Sequence, residues 1–145
     1  MLVEPQRTKS TFECQLTAAP GTMPDAEAVA AMMKYNESLK KAGVLIGLDG
    51  LHPPSMGARV SFAGGKPKMT DGPFAETKEV LGGYWMIDVK SKDEAIAWAM
   101  RCPASANEVI EVRQVQEMED FPADVQAAAA GLQDMQPKPA QRKSR

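Results

Sequence analysis

Between residues 11 and 115 the spacing of apolar side chains changes from every second residue to every third or fourth and back again, twice over. Few folds accommodate that rhythm. Residues 11–17 alternate cleanly, with Phe12, Cys14 and Leu16 on one face and Thr11, Glu13, Gln15 and Thr17 on the other. This is a strand with one buried side. After Pro20-Gly21, Thr22 and Asp25 stand at capping-box spacing. Ala28, Met32, Tyr35, Leu39 and Ala42 then recur at helical intervals until Gly43, a helix terminator. The spacing predicts a first helix over residues 23–42.

The second half of the rhythm follows a hairpin. Residues 44–48 read as a strand broken by Gly47, and Leu51-His52-Pro53-Pro54 must run extended because each proline restricts the residue before it. Alternation over residues 59–63, then Gly64-Gly65 and a returning strand over 66–70, predict the hairpin. Residues 75–81 are long enough for a short helix. Gly82-Gly83 opens the clearest strand, with Trp85, Ile87 and Val89 opposed to Tyr84, Met86 and Asp88. Ser91 and Glu94 form another capping box, ahead of a helix with Ala95, Trp98, Ala99 and Cys102 on one face and Pro103 at its end. Residues 109–115 are the last strand. The order strand, helix, strand, hairpin, strand, helix, strand predicts an α+β ferredoxin-like sandwich, an antiparallel sheet with two helices on one face and an added β-hairpin. Its other face keeps Tyr84 and Met86, and a half-apolar sheet face calls for a partner, so a homodimer is expected.

Length and composition bound the rest. The 145 residues suffice for one domain of usual size. With 43% apolar and 25% charged residues, a wholly disordered chain or a disulfide-dense miniprotein is excluded. Seventeen basic against 19 acidic side chains give a net charge of −2, which offers no general field for nucleic acid. No apolar run is long enough to cross a bilayer, and residues 1–10 lack a signal-peptide core. A flexible N-terminus over 1–10 and a cytoplasmic location are expected. Cys14 and Cys102 each sit in an apolar pattern and read as buried thiols, with a single disulfide as the alternative. One histidine and two cysteines with 87 residues between them supply no zinc-type ligand pair, and no phosphate-binding glycine loop or nucleophile elbow occurs. The expectation is chemistry without metal or cofactor. Residues 121–145, rich in alanine and proline, read as an extension, with a loose helix over 125–135 and a disordered tail over 137–145. Four of the last eight residues are basic, leaving 13 basic against 19 acidic side chains, or −6, on residues 1–137. That tail is a solvated end or a site for phosphate or an acidic partner.

The densest polar chemistry is Thr70-Asp71-Gly72-Pro73-Phe74-Ala75-Glu76-Thr77-Lys78-Glu79. Together with Gly82-Gly83-Tyr84-Trp85, Cys102-Pro103 and Glu111-Val112-Arg113, it resembles the DGPF-domain proteins of the YCII-related superfamily, over residues 11–118. The resemblance implies a domain over 11–120 in a small bacterial cytoplasmic protein of the dimeric α/β-barrel class, with two sheets facing each other around a cleft. It also implies a suspected enzymatic activity, and for some members a genomic link to extracytoplasmic-function sigma factors. The superfamily's suspected site pairs an aspartate with a histidine on helix one. Here Met32-Met33-Lys34-Tyr35-Asn36 offers none, and the sole histidine, His52, lies in the loop before Pro53-Pro54.

The candidate residues each carry two readings. Asp71 is a general acid or base, or a carboxylate capping its own turn. His52 is a second proton-transfer group, suited by a pKa near neutrality, or a solvated loop side chain. Glu76 and Lys78 contact a polar ligand, or form surface ion pairs. Tyr84, with Gln15, Arg59 and Arg113 beside it by parity, lines a cleft for a small anionic or oxygenated organic ligand, or sits in a dimer interface. The reaction expected is acid–base chemistry on a small organic molecule in a dimer cleft. The alternatives are a ligand-binding or regulatory module acting with a sigma factor, and a structural dimer whose acidic turn locks the hairpin.

Overall fold

Antiparallel pairing organises the chain from its first strand onward. The computed structural model describes residues 9–19, 24–72 and 79–135. Strands β1 (Ser10–Ala18), β2 (Leu45–Gly50), β5 (Val80–Val89) and β6 (Val109–Gln114) form one sheet in the order β2-β5-β1-β6. The pairs β1–β5, β1–β6 and β2–β5 are all antiparallel. Helices α1 (Ala26–Lys41) and α2 (Lys92–Met100) connect these strands as the ferredoxin-like order requires. Between β2 and β5, strands β3 (Ala58–Ser61) and β4 (Lys68–Asp71) make a separate two-stranded ribbon, the added hairpin.

One face of the sheet carries the core. Phe12 and Cys14 of β1 and Trp85, Ile87 and Val89 of β5 are buried with Tyr35 and Leu39 of α1, Val44, and Ala95 of α2. The register sets Phe12 opposite Ile87 and Cys14 opposite both Trp85 and Val112, so these side chains share the helix-covered face. Leu39, Ile87 and Val89 are almost wholly sequestered, each contributing about 1.5–3 kcal/mol of transfer free energy. Aromatic groups find partners for their polar ends. The Tyr35 hydroxyl donates to the Trp98 carbonyl at 2.7 Å and the Trp85 indole donates to Asn36 Oδ1 at 2.8 Å. The two rings meet edge to face with centroids 5.7 Å apart.

Local sequence explains the ends. Asp25 caps α1, its carboxylate accepting from the Ala28 N–H at 2.8 Å, so the helix begins after Asp25 and not near residue 23. Gly43 takes φ +73° directly after the helix. For α2 half of the expected box forms: Ser91 accepts from the Glu94 N–H at 3.1 Å, but the Glu94 carboxylate accepts from the Lys90 N–H at 2.9 Å, one residue before the cap. Strand β2 starts at Leu45 and continues through Gly50, with Ile46 at a register shift. β5 already begins at Val80, so Val80 and Leu81 are strand, not the end of a short helix, and the rest of that expected helix, over 75–78, lies outside the described residues. Both cysteines are free thiols.

The described residues after Gln114, 115–135, belong to a second compact unit. Within it a short turn, Met118–Asp120, has reciprocal caps between Glu117 and Asp120. The expected loose helix is two pieces, α3 (Ala123–Ala128) and α4 (Leu132–Met135), separated by Gly131 at φ +94°. The expected flexible start and basic tail fall largely outside the described residues. No helix among the described residues is long and apolar enough to cross a membrane.

Candidate functional site

The site begins with two glycines. Leu51 N–H donates to the Gly82 carbonyl at 2.8 Å, and Gly83 lies so near β2 that a Cβ there would stand 2.9 Å from the Asp49 carbonyl oxygen. Glycine alone permits that approach. It brings Asp49 directly opposite Tyr84 in the β2–β5 register. The Tyr84 hydroxyl donates to Asp49 Oδ2 at 2.6 Å, a short charge-assisted bond.

The next strand extends this polar row across the sheet face that the helices leave uncovered. Gln15 lies opposite Tyr84 on one side and Glu111 on the other, while Glu13 lies between Met86 and Arg113. The Gln15 amide donates to Glu13 Oε1 at 2.9 Å. Tyr84, Gln15 and Arg113 therefore share one face, as their parity predicts. Arg59 is not on that sheet. It belongs to β3, opposite Thr70 in the ribbon, because the inserted hairpin pairs with itself and not with the main sheet.

The acidic turn stands at the root of that ribbon. Asp71 ends β4 opposite Ala58, and the Gly72 N–H donates to the Gly57 carbonyl at 2.9 Å. A Cβ on Gly72 would collide with the Pro54 carbonyl, so this turn packs tightly on the segment that follows His52. The fold thus brings the backbones of the His52 loop and the Asp71 turn together. Both side chains are exposed, and neither hydrogen-bonds another described residue. His52 follows Asp49 by three residues, so its Cα lies within about 11 Å of that carboxylate's Cα. Glu76 and Lys78 lie outside the described residues.

Nucleophilic thiol chemistry is disfavoured. Burial, with the Glu13 charge adding to it, pushes the Cys14 thiol up to about 11. Burial, with Glu108 and Cys14 contributing, pushes Cys102 to about 11 as well, so both remain protonated near neutrality. Burial likewise raises the Tyr35 phenol. An open groove of about 500 Å³ between α2 and β6 is lined by Ile96, Met100 and Val112, with Lys92 and Glu108 at its margin. Because Val112 shares the face of Cys14, this groove belongs to the opposite side of the sheet from Tyr84. No cluster of three or more metal-ligating side chains occurs among the described residues.

Asp49 is the site residue that sequence reasoning missed. Asp49-Gly50 reads as a turn after a strand, and its partnership with Tyr84 depends on a register between segments 35 residues apart. The available signal is the Gly82-Gly83 pair, which announces a close backbone approach without naming the strand that makes it.

A curated relative, the uncharacterized protein R00369 of Rhizobium meliloti (strain 1021), is 41% identical over 70 residues, or 48% of this chain and 53% of the relative. The match thus spans about half the length of that relative. The YCII-related domain model matches residues 10–119, from the first residue of β1 to past the end of β6. The chain belongs to the YCII-related domain family.

Proposed function

We propose that the uncovered sheet face, closed over by a second copy of the chain, holds a small organic molecule and carries out acid–base chemistry on it without a cofactor. The observation that carries this reading is the 2.6 Å bond from Tyr84 to Asp49, set in a row with Gln15, Glu13 and Arg113 on the face away from the core. A phenol held by a carboxylate donates or accepts a hydrogen bond at a fixed place, and an arginine two strands away supplies charge for an anionic or oxygenated ligand. Asp71 is the proton-transfer group in this reading and His52 its assistant. Support comes from the packing of Gly72 against Pro54, which fixes the acidic turn beside the histidine loop. Lys78 and Arg113 place charge, and Arg59 and Glu76 are peripheral ligand contacts.

A second reading is a non-enzymatic ligand-binding or regulatory module, working with an extracytoplasmic-function sigma factor. The exposed, unlinked side chains of His52 and Asp71 favour it, since a binding surface needs no preformed dyad.

Native mass spectrometry of full-length protein purified from its own host tests the first reading. A retained small molecule is expected with the wild type, lost in both Tyr84→Phe and Asp71→Asn while melting is little changed. Absence of any retained mass, with Asp71→Asn collapsing the fold, overturns it in favour of a turn-locking carboxylate.

A further inference from the structure

The ribbon of β3 and β4 exposes a face that water does not suit. Val60 lies opposite Met69, and Phe62 follows directly after β3. Their exposures are 56%, 59% and 69%, so no described residue of their own chain covers them fully. A two-stranded ribbon by itself is marginal in water. This one is nevertheless fixed at its root, by the Gly72–Gly57 hydrogen bond at 2.9 Å and by the contact of Gly72 with Pro54. It is a ribbon anchored at its root and apolar on one side.

Charge identifies what covers it. From Ala58 to Asp71 the chain carries Arg59, Lys66 and Lys68 against Asp71 alone, on a molecule whose net charge is −2. The uncovered face of the main sheet is the reverse: Glu13, Asp49, Asp88 and Glu111 against Arg113. Met86 lies among those carboxylates and Val109, at its edge, is 55% exposed. We propose that the β3–β4 ribbon is an arm that lies on the uncovered sheet face of a second copy and sets Lys66 and Lys68 against that copy's Glu13 and Glu111. The proposal rests on the two-copy reading above and adds to it the residues that each copy lends to the other's site.

Size permits the contact. From Ala58 to the start of the turn at Ala63 the ribbon extends about 16 Å at about 3.3 Å per residue, whereas four strands lie across about 14 Å. Val60, Phe62 and Met69 then bury against Met86 and Val109. A ribbon of two strands has no interior column, so lysines from its back and its tip border the contact and reach round with their long stems. A twofold axis makes the exchange reciprocal, so one patch and its complement on the same chain suffice.

Sedimentation velocity on the full chain, over a range of concentration and salt, tests this. The wild type is expected to be a dimer, weakened by salt. Lys66→Glu with Lys68→Glu, both exposed, is expected to weaken dimerisation about tenfold or more while leaving the melting of the monomer unchanged. Phe62→Ser, which leaves charge untouched, is expected to weaken it as well. Mixing the Lys66→Glu, Lys68→Glu protein with a Glu13→Lys, Glu111→Lys protein is expected to restore a heterodimer that neither forms alone. A wild-type dimer whose strength is unmoved by all three changes overturns the arm and leaves the two-copy reading standing. A wild-type monomer at every concentration overturns both, and the cover for the ribbon is then another molecule.

Discussion

At the scale of single residues, a few atoms set the geometry of the site. Gly83→Ala is expected to push β2 and β5 apart, because its Cβ meets the Asp49 carbonyl at 2.9 Å. A loss of about 1–3 kcal/mol in denaturant unfolding is expected. Tyr84→Phe removes a bond on a partly open surface and should cost less than about 1 kcal/mol. The two variants separate architecture from chemistry, since the second leaves the strands in place. The thiols provide a pH test. Folding raises both from 9.0 to about 11, so the native state holds those protons more tightly than the unfolded chain does. The stability they contribute is complete below pH 9 and is lost as pH rises towards 11. Unfolding measured across that window should fall less steeply in a Cys14→Ala, Cys102→Ala variant than in the wild type. Neither thiol should react with a disulfide reagent at neutral pH until the chain is denatured. The sequence signals these cysteines well, because each stands in an apolar pattern. It does not signal Asp49, whose role comes from a strand pairing that no local pattern encodes.

At the scale of elements, helix ends are legible where the capping group and its recipient are neighbours in the chain. Ser91 caps α2 as its spacing to Glu94 implies, while Glu94 turns to the Lys90 N–H instead, and Ser91→Ala should cost about 1 kcal/mol in thermal or denaturant unfolding. At α1 the spacing of Thr22 and Asp25 suggests the wrong member of the pair. Asp25 itself is the cap, which shortens the helix to Ala26–Lys41. The ribbon was legible as a hairpin from Gly64-Gly65, and Gly64 and Gly65 do take φ of +75° and +81°. Its isolation from the main sheet was not legible, because alternation specifies a strand and its two faces but no neighbour. Arg59 therefore belongs to a different sheet from Tyr84 despite matching parity.

At the scale of the whole molecule, the sheet divides its labour by face. Ile87 and Met86 are consecutive on β5, yet Ile87 is buried in the core and Met86 is on the uncovered side. Ile87→Asp should abolish folding, since an unpaired charge would enter the core. Met86→Asp should leave circular dichroism intact and act on association, which size-exclusion chromatography reads. Leu39→Ala should cost about 2–5 kcal/mol, as it removes a wholly sequestered side chain of α1. By itself the sequence determined the element order, the buried faces of β1, β5 and β6, and the class of fold. These follow from periodicity, and periodicity is a property of neighbours along the chain. Only the tertiary structure decided that β5 lies between β1 and β2, that Asp49 meets Tyr84, and that the acidic turn packs on the loop after His52. Those are encounters between distant segments, selected by the total burial of one sheet face under two helices and not by any residue's local preference.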